Sequence, residues 1–393
     1  MIPDFLFAAT PHIHFGTGKR SQLSSIIQQY GHRILLVTGG TSFDKSPLCQ
    51  TLFDELKNQF DIHRVSINGE PSPQQVDDTV AACSAAPPNC VVAIGGGSPV
   101  DAAKAIAGLL PSCNSVMEYL EGVGNGKIYS GPSTPFIALP TTAGTGGETS
   151  KNAVLSVIGK NGFKKSFRHE QLVARHIILD PELTLSCPAK VTAACGMDAC
   201  TQLLESYLSR NASPMTDALA LSGMQKVARS LPVVISNGAS LQARADMLYA
   251  SSISGLTLAN AGLGSVHGLA SPIGAYFPMP HGEVCGSLLF EATRLNIESM
   301  QAREPDNIGL FKYAEAGRMM SGDNRLDDIT ARQSLLTLLE RWINDFDMPL
   351  LSAYGIRETD IPKLIANASS GSMKTNPVTL TDAETRALIQ SRL

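Results

Sequence analysis

Two of the chain's eight histidines, His267 and His281, are each followed directly by glycine. Pro272, Pro278 and Pro280 lie between them, so one straight helix cannot carry both side chains. We therefore predict two helical segments with a bend that brings both imidazoles to one point. Imidazole is a ligand for Zn, Fe, Cu and Ni. Two histidines alone more often have a structural role, so a metal site needs a third ligand.

The earlier segment GMDACTQLLESYLS, residues 196–209, supplies a candidate. Its apolar spacing predicts an amphipathic helix over 193–208, in which Asp198 and Gln202 share a face because they are four residues apart. Asp198 lies near the predicted helix start, where a carboxylate often caps the free backbone N–H groups. The segment therefore leaves two interpretations of Asp198 open, a helix cap and a metal ligand.

A glycine-rich turn joins a predicted strand, CVVAI at 90–94, to a predicted helix that begins at Pro99. Glycines let backbone N–H groups approach an anion closely, and the N-terminus of a helix attracts negative charge. The turn matches neither GxGxxG nor the Walker A pattern, and such a turn is often purely structural. Its candidate phosphate-binding residues are Gly95, Gly96, Gly97 and Ser98.

Two more turns of small and hydroxyl residues follow predicted strands, RILLVT at 33–38 and the strand at 136–139. Three such turns at strand ends would form a crevice of the kind that nucleotides occupy in open α/β sheets. The first of the two offers a surface for an adenosine ribose. The candidate residues of these two turns are Gly39, Gly40, Thr41, Ser42, Thr141, Thr142 and Thr145.

Predicted strands and helices alternate up to about residue 187, and only helices are predicted beyond it. Alternation of this kind is typical of a parallel sheet covered by helices. We therefore predict an α/β dinucleotide-binding domain at 1–187 and an all-α domain at 188–393.

The amino-acid composition and net charge argue against several classes of protein. With 43% hydrophobic and 17% charged residues, the chain can bury a large core and is not expected to be disordered. A net charge of -4 does not favour binding to nucleic acid or to a membrane surface. No apolar run is long enough to span a bilayer, and the N-terminus has no secretory signal pattern. Eight cysteines without CxxC pairs are expected to be free thiols in a cytoplasmic protein.

Together these motifs resemble the iron-containing alcohol dehydrogenase family, which has a dehydroquinate synthase-like fold. The resemblance covers nearly the whole chain and implies a divalent metal, Fe²⁺ or Zn²⁺, in a cleft between an N-terminal dinucleotide-binding domain and a C-terminal helical domain. The segments that carry it are GGGSPVDAAKAI (95–106), LPTTAGTGGE (139–148), ILDPELTLSCP (178–188), GMDACTQLLESY (196–207) and HGLASPIGAYFPMPHG (267–282).

The resemblance also assigns roles. It implies that Asp198, His267 and His281 are metal ligands and catalytic residues, with the position of Gln202 as a fourth ligand site. It places the pyrophosphate of NAD or NADP at the turn 95–98, with Asp101 behind it, and the nicotinamide end near Thr141, Thr142 and Thr145. It also implies a homodimer formed through the N-terminal segment 5–15.

Three residues depart from the family pattern. Gln202 stands where iron enzymes of the family usually have histidine, and an amide oxygen is a poorer ligand for Fe or Zn. We therefore expect three protein ligands and an open position. Ser271 replaces a histidine often assigned to proton transfer, which leaves proton relay open. Gly39 replaces the aspartate of NAD-preferring relatives, so we expect NADP to be preferred over NAD.

These observations favour a metal-dependent alcohol dehydrogenase or aldehyde reductase acting on a small alcohol or aldehyde. One alternative is a lyase or cyclase of the dehydroquinate synthase type, which needs several basic residues to hold an acidic substrate. The stretches 196–208 and 255–283 contain no lysine or arginine, which favours a weakly charged substrate. A metal-free nucleotide-binding protein is the other alternative.

Overall fold

The computed structural model of the protein describes residues 4–368 and 371–393. Its strands all lie in the first half of the chain. The strands are β1 (His12–Phe15), β2 (Arg33–Gly39), β3 (Asp61–Ile67), β4 (Cys90–Gly95), β5 (Phe136–Pro140), β6 (Asn152–Val157), β7 (Phe163–Arg168) and β8 (His176–Leu179).

Six strands form one parallel sheet in the order β1-β8-β5-β4-β2-β3. Its central strands are continuous apolar runs because helices cover both faces of the sheet; every residue of β4 is buried. The helices of this half are α1 (Leu23–Gln28), α2 (Thr41–Lys45), α3 (Pro47–Lys57), α4 (Pro73–Cys83) and α5 (Gly97–Leu109). The remaining two strands, β6 and β7, form an antiparallel hairpin beside the sheet.

Helices make up the second half of the chain. They are α6 (Ala189–Leu208), α7 (Pro214–Ser236), α8 (Leu241–Ala261), α9 (Ser265–Tyr276), α10 (His281–Arg303), α11 (Ile308–Ser321), α12 (Asp328–Asp345), α13 (Ile361–Ala368) and α14 (Asp382–Gln390). This architecture confirms the predicted fold class, an α/β part followed by an all-α part. No helix among the described residues combines the length and apolar character that crossing a bilayer requires.

Three local predictions were wrong. The segment from Thr41 begins helix α2 instead of continuing an open turn, and α5 begins at Gly97, before the predicted Pro99. The strand β7 was missed because its sequence, FKKSFR, has no apolar run; it is held in place by its pairing with β6.

Candidate active site

A cleft of about 770 Å³ lies between the carboxyl ends of the sheet strands and the helical half. Residues that follow β3, β4 and β5 line one side of it, and residues of α6, α9 and α10 line the other. Predicted site residues from both halves meet in this cleft. Those in its lining are Gly97, Ser98, Asp101, Thr145, Asp198, Gln202, His267 and His281.

The two histidines lie close together as predicted, because helix α9 ends at Tyr276 and a new helix, α10, begins at His281. Asp198 Oδ1 lies 3.2 Å from Nε2 of His267 and 3.8 Å from Nε2 of His281. The two imidazole centroids are 5.3 Å apart. Asp198 and His267 are buried, and His281 is partly exposed toward the cleft. Nitrogen and carboxylate donors at this spacing fit a divalent transition metal.

The cap interpretation of Asp198 is wrong, since α6 begins at Ala189 and Asp198 lies in the interior of that helix. Burial alone would raise the pKa of its carboxyl, but His281 and His267 outweigh burial and lower the pKa. A carboxylate buried in a helix interior and facing two imidazoles is costly unless it binds a cation. The position therefore suits a metal ligand.

Glu205 orients His267. Its Oε2 lies 2.7 Å from Nδ1 of His267, and its Oε1 accepts a hydrogen bond from the backbone N–H of Val266 at 2.7 Å. The contact turns Nε2 of His267 toward Asp198, in the manner of the outer carboxylates that orient metal-binding histidines. Sequence analysis missed Glu205. The available signal was its spacing of seven residues from Asp198, which keeps both on one helix face.

His281 has the properties of a neutral imidazole ligand. Burial lowers the pKa of His281 to about 4, and the opposing attraction of Asp198 does not restore it. Its Nδ1 is buried without a hydrogen-bond partner among the described residues. A neutral ring keeps one nitrogen lone pair available to a metal ion.

Gln202 is close to this cluster, but its oxygen is engaged elsewhere. Oε1 accepts a hydrogen bond from Ser254 Oγ at 2.8 Å, while Nε2 is 3.4 Å from Asp198 Oδ1. An amide nitrogen that donates cannot coordinate a metal. Ligation by Gln202 therefore stays a prediction.

A fourth donor comes from Cys285, one turn after His281 on α10. Its Sγ lies 3.6 Å from His267 Nε2 and 3.8 Å from His281 Nε2. One donor atom from each of Asp198, His267, His281 and Cys285 lies within 4.8 Å of the others. Sequence analysis missed Cys285 because it sought cysteines in CxxC pairs; the usable signal was the i, i+4 spacing from His281.

The glycine turn after β4 leaves the N-terminus of α5 open. No side chain caps this helix at Gly96, so its first backbone N–H groups can bind an anion. Glycine is required at Gly95, because a β-carbon there would lie 2.7 Å from Pro99 Cγ and 3.1 Å from the backbone nitrogen of Gly39. This turn therefore combines close packing with a free helix terminus.

The three predicted turns lie side by side because β2, β4 and β5 are neighbours in the sheet. The N–H of Thr141 donates to the carbonyl of Gly95 at 2.9 Å. The hydroxyls of Thr142 and Thr145 would lie 3.2 and 3.1 Å from β-carbons on Gly96 and Gly97. The three turns are thus neighbours along one edge of the sheet. Of their predicted residues, Gly97, Ser98 and Thr145 line the cleft and the others do not, so nucleotide binding by these turns stays a prediction. Gly40 precedes α2, whose first two residues are Thr41 and Ser42.

A buried charged network lies beside these turns; sequence analysis named its member Asp101 and missed Lys104 and Glu148. The ammonium of Lys104 donates to the carbonyls of Gly147 and Asn152, each at 2.6 Å, and lies 3.8 Å from Asp101. Burial raises the pKa of Asp101 to about 6 and that of Glu148 to about 7. Lys104 thus ties α5 to the turn after β5 and to β6.

The hairpin β6–β7 brings basic residues into the cleft, which the stretches 196–208 and 255–283 did not suggest. Lys164 is 2.9 Å from Glu70, and Arg168 is 3.5 Å from Glu121. Lys165 also lines the cleft and has no carboxylate within 4.0 Å among the described residues. The cleft therefore contains basic groups, most of them already paired.

Two family models of known proteins, both of the same family, match consecutive parts of the chain. The family model described as iron-containing alcohol dehydrogenase matches residues 10–181. The model described as Fe-containing alcohol dehydrogenase family, C-terminal, matches residues 192–393. The long-chain-alcohol dehydrogenase 1 of Geobacillus thermodenitrificans is 32% identical over 387 residues, which cover 97% of this chain and 95% of the relative.

Solved structures are similar over the same extent. A 1,3-propanediol oxidoreductase has a TM-score of 0.88 and 28% identity, with 100% of both chains covered. The sulfoacetaldehyde reductase from Bifidobacterium kashiwanohense in complex with NAD+ has a TM-score of 0.82 and 27% identity, and the match covers 100% of this chain and 99% of that one.

Proposed function

Because the chain belongs to the iron-containing alcohol dehydrogenase family, we propose that Asp198, His267 and His281 hold its metal in the cleft where NADP and substrate meet. Membership makes the protein a nicotinamide-dependent oxidoreductase that interconverts alcohols and aldehydes. The observation that carries the site assignment is the convergence of three buried or half-buried donors opposite the open N-terminus of α5.

In this proposal the α/β half binds the cofactor and the helical half binds the metal. A bound divalent metal supplies Lewis-acid polarisation of the substrate oxygen. The backbone N–H groups at Gly97 and Ser98 bind the cofactor pyrophosphate, and Thr145 positions the nicotinamide end. Glu205 keeps Nε2 of His267 directed at the metal position. The protein thus contributes placement and electrostatics to a hydride transfer carried by the cofactor.

The turn after β2 supports a preference for NADP over NAD. Gly39 has neither the bulk nor the charge that would repel a 2′-phosphate, and Thr41 and Ser42 offer hydroxyl donors at the start of α2. The guanidinium of Arg64 lies against this helix, 4.6 Å from the ring centre of Phe43, and is paired with Asp44 at 2.6 Å. Because Asp44 neutralises part of the positive charge of Arg64, we expect the preference for NADP over NAD to be moderate.

The test is kcat/KM with NADPH and NADH for the wild type, Gly39→Asp and a Gly39→Ala control. A β-carbon at Gly39 would lie 3.1 Å from Ser42 Oγ, which a rotation of that hydroxyl can accommodate. We expect the wild type to favour NADPH, Gly39→Asp to reverse the order, and Gly39→Ala to keep it. A wild type that favours NADH, or an aspartate variant with an unchanged ratio, contradicts the assignment of this turn.

The substrate is proposed to be a small, weakly charged aldehyde or alcohol. Four basic residues line the cleft. Lys164, Arg168 and Lys190 each lie within 4.0 Å of a glutamate, so most of the positive charge is compensated before a substrate enters. Lys165 is the lining lysine for which the described residues offer no such partner. Absorbance at the nicotinamide band with butanal and with glyoxylate tests this proposal, and a preference for the anionic aldehyde above about ten-fold would overturn it.

We further propose that the chain forms a homodimer and is located in the cytoplasm. The strand β1 lies at an edge of the sheet, and the segment before and within it exposes Phe5, Leu6, Ile13 and Phe15. A second copy of the chain would cover this apolar edge. All eight cysteines are free thiols, as is usual in a reducing compartment.

A further inference from the structure

We propose that Cys285 is the fourth protein ligand of the metal, in the role that Gln202 would otherwise fill. The inference rests on the proposed metal site and specifies its chemistry. The donor set would then be one carboxylate, two imidazoles and one thiolate, contributed by α6, α9 and α10, in place of the three ligands expected from the sequence. The substrate oxygen would enter as a fifth ligand.

The spacing of the donor atoms supports this assignment. Metal bonds of roughly 2.0–2.3 Å at tetrahedral angles place neighbouring donor atoms roughly 3.3–3.6 Å apart. Sγ of Cys285 lies 3.6 Å from Nε2 of His267 and 3.8 Å from Nε2 of His281. Asp198 Oδ1 lies 3.2 and 3.8 Å from the same two nitrogens. These four separations lie within a few tenths of an ångström of tetrahedral edges, and the remaining two are at most 4.8 Å.

Gln202, the other candidate for the fourth ligand, is less suitable because both the nitrogen and the oxygen of its side-chain amide are hydrogen-bonded. The side-chain nitrogen of Gln202 donates to Asp198, and its oxygen accepts a hydrogen bond from Ser254. The thiol of Cys285, in contrast, is buried and faces the two histidine nitrogens and the carboxylate of Asp198. A thiol releases its proton when it binds a metal, so the ligand is the thiolate.

A thiolate changes which metal the site favours. Thiolate is a soft ligand that suits zinc, whereas carboxylate and imidazole alone discriminate less. We therefore infer that Cys285 increases the preference of this site for Zn²⁺ over Fe²⁺, so that Cys285→Ser should narrow the difference between the two dissociation constants.

The test uses Co²⁺ as a spectroscopic probe in the full chain, with Cys285→Ser and a matched Cys195→Ser control. Cys195 also lines the cleft but lies outside the four-donor cluster. Cobalt bound by thiolate gives an intense charge-transfer band in the near ultraviolet. We expect this band in the wild type and in Cys195→Ser, and its loss in Cys285→Ser. The zinc dissociation constant of Cys285→Ser should rise by about ten-fold or more.

Two outcomes overturn the inference. Cobalt that binds the wild type, seen by its weak visible bands, without the near-ultraviolet band would leave the three-ligand site and remove Cys285. A band that persists in Cys285→Ser would assign the thiolate elsewhere. Failure of the wild type to bind any cobalt would contradict the proposed metal site itself.

Discussion

At the level of single residues, the proposed metal site draws its donor atoms from three helices, α6, α9 and α10. His267 and His281 were identifiable because prolines between them force a bend. Glu205 and Cys285 carry no local signal beyond helical spacing. Their roles arise when α6, α9 and α10 pack together, and a single sequence does not state which helix faces meet.

The buried carboxyl of Glu148 gives a pH prediction. Burial raises its pKa to about 7 from an ordinary value of 4.5, so the folded protein favours the protonated form between these values. The stability from this group is therefore complete below about pH 4.5 and is lost as pH rises through about 7. Glu148→Gln should remove this dependence. Relative to the variant, the wild type should lose about 1–3 kcal/mol of unfolding free energy over this range.

The measurement is thermal unfolding of the wild type and Glu148→Gln across the same pH series. Glu182→Gln serves as a control, because that carboxyl lies at the surface of the same half and is partly exposed. A difference between wild type and Glu148→Gln that stays constant with pH would show that Glu148 is ionised throughout.

At the level of elements, the parallel strands were predictable because each is a short apolar run followed by a glycine-rich turn. The hairpin strand β7 and the short helix α2 were not. FKKSFR is mostly polar, without the apolar run or the alternation that predicts a strand, and its strand pairing depends on β6. The basic lining of the cleft was missed for the same reason.

The turn after β4 predicts how the two halves divide their tasks. Gly96→Val should place branched carbons beside Thr142 Oγ1, which would lie 3.2 Å from the new β-carbon, and block the approach of the pyrophosphate. We expect the NADPH dissociation constant to rise about ten-fold or more, a loss above about 1.4 kcal/mol. Metal content should stay unchanged, since its ligands come from the helical half. Fluorescence titration and metal analysis check both, and metal loss with normal NADPH binding would contradict this division.

At the level of the whole molecule, the alternation of strands and helices in the first half of the chain and the run of helices in the second half predicted the fold class. The order of the strands within the sheet could be read only from the structure. The position of β1 at the sheet edge was not evident from sequence, because strand order depends on which crossovers the chain makes. The boundary at 187–188 stays a prediction, although the last strand ends at Leu179 and α6 begins at Ala189.

The exposed edge predicts the assembly state. Leu6 is 85% exposed and Ile13 is 46% exposed, and we expect a second copy to cover both. Replacing both with Asp should convert the dimer to a monomer, measured by analytical ultracentrifugation. Ile128→Asp is the control, because Ile128 is 88% exposed outside this segment. A wild type that sediments as a monomer, or a control that dissociates equally, would contradict a dimer through the N-terminal segment.

The most direct test of the proposed site is metal content and NADPH binding in His267→Ala, prepared without chelator and compared with the wild type. His267 is the centre of the cluster, in contact with Asp198, Glu205 and Cys285. We predict about one metal ion per wild-type chain, loss of most metal and activity in the variant, and NADPH affinity close to that of the wild type. A variant that keeps its metal and its activity would contradict the site.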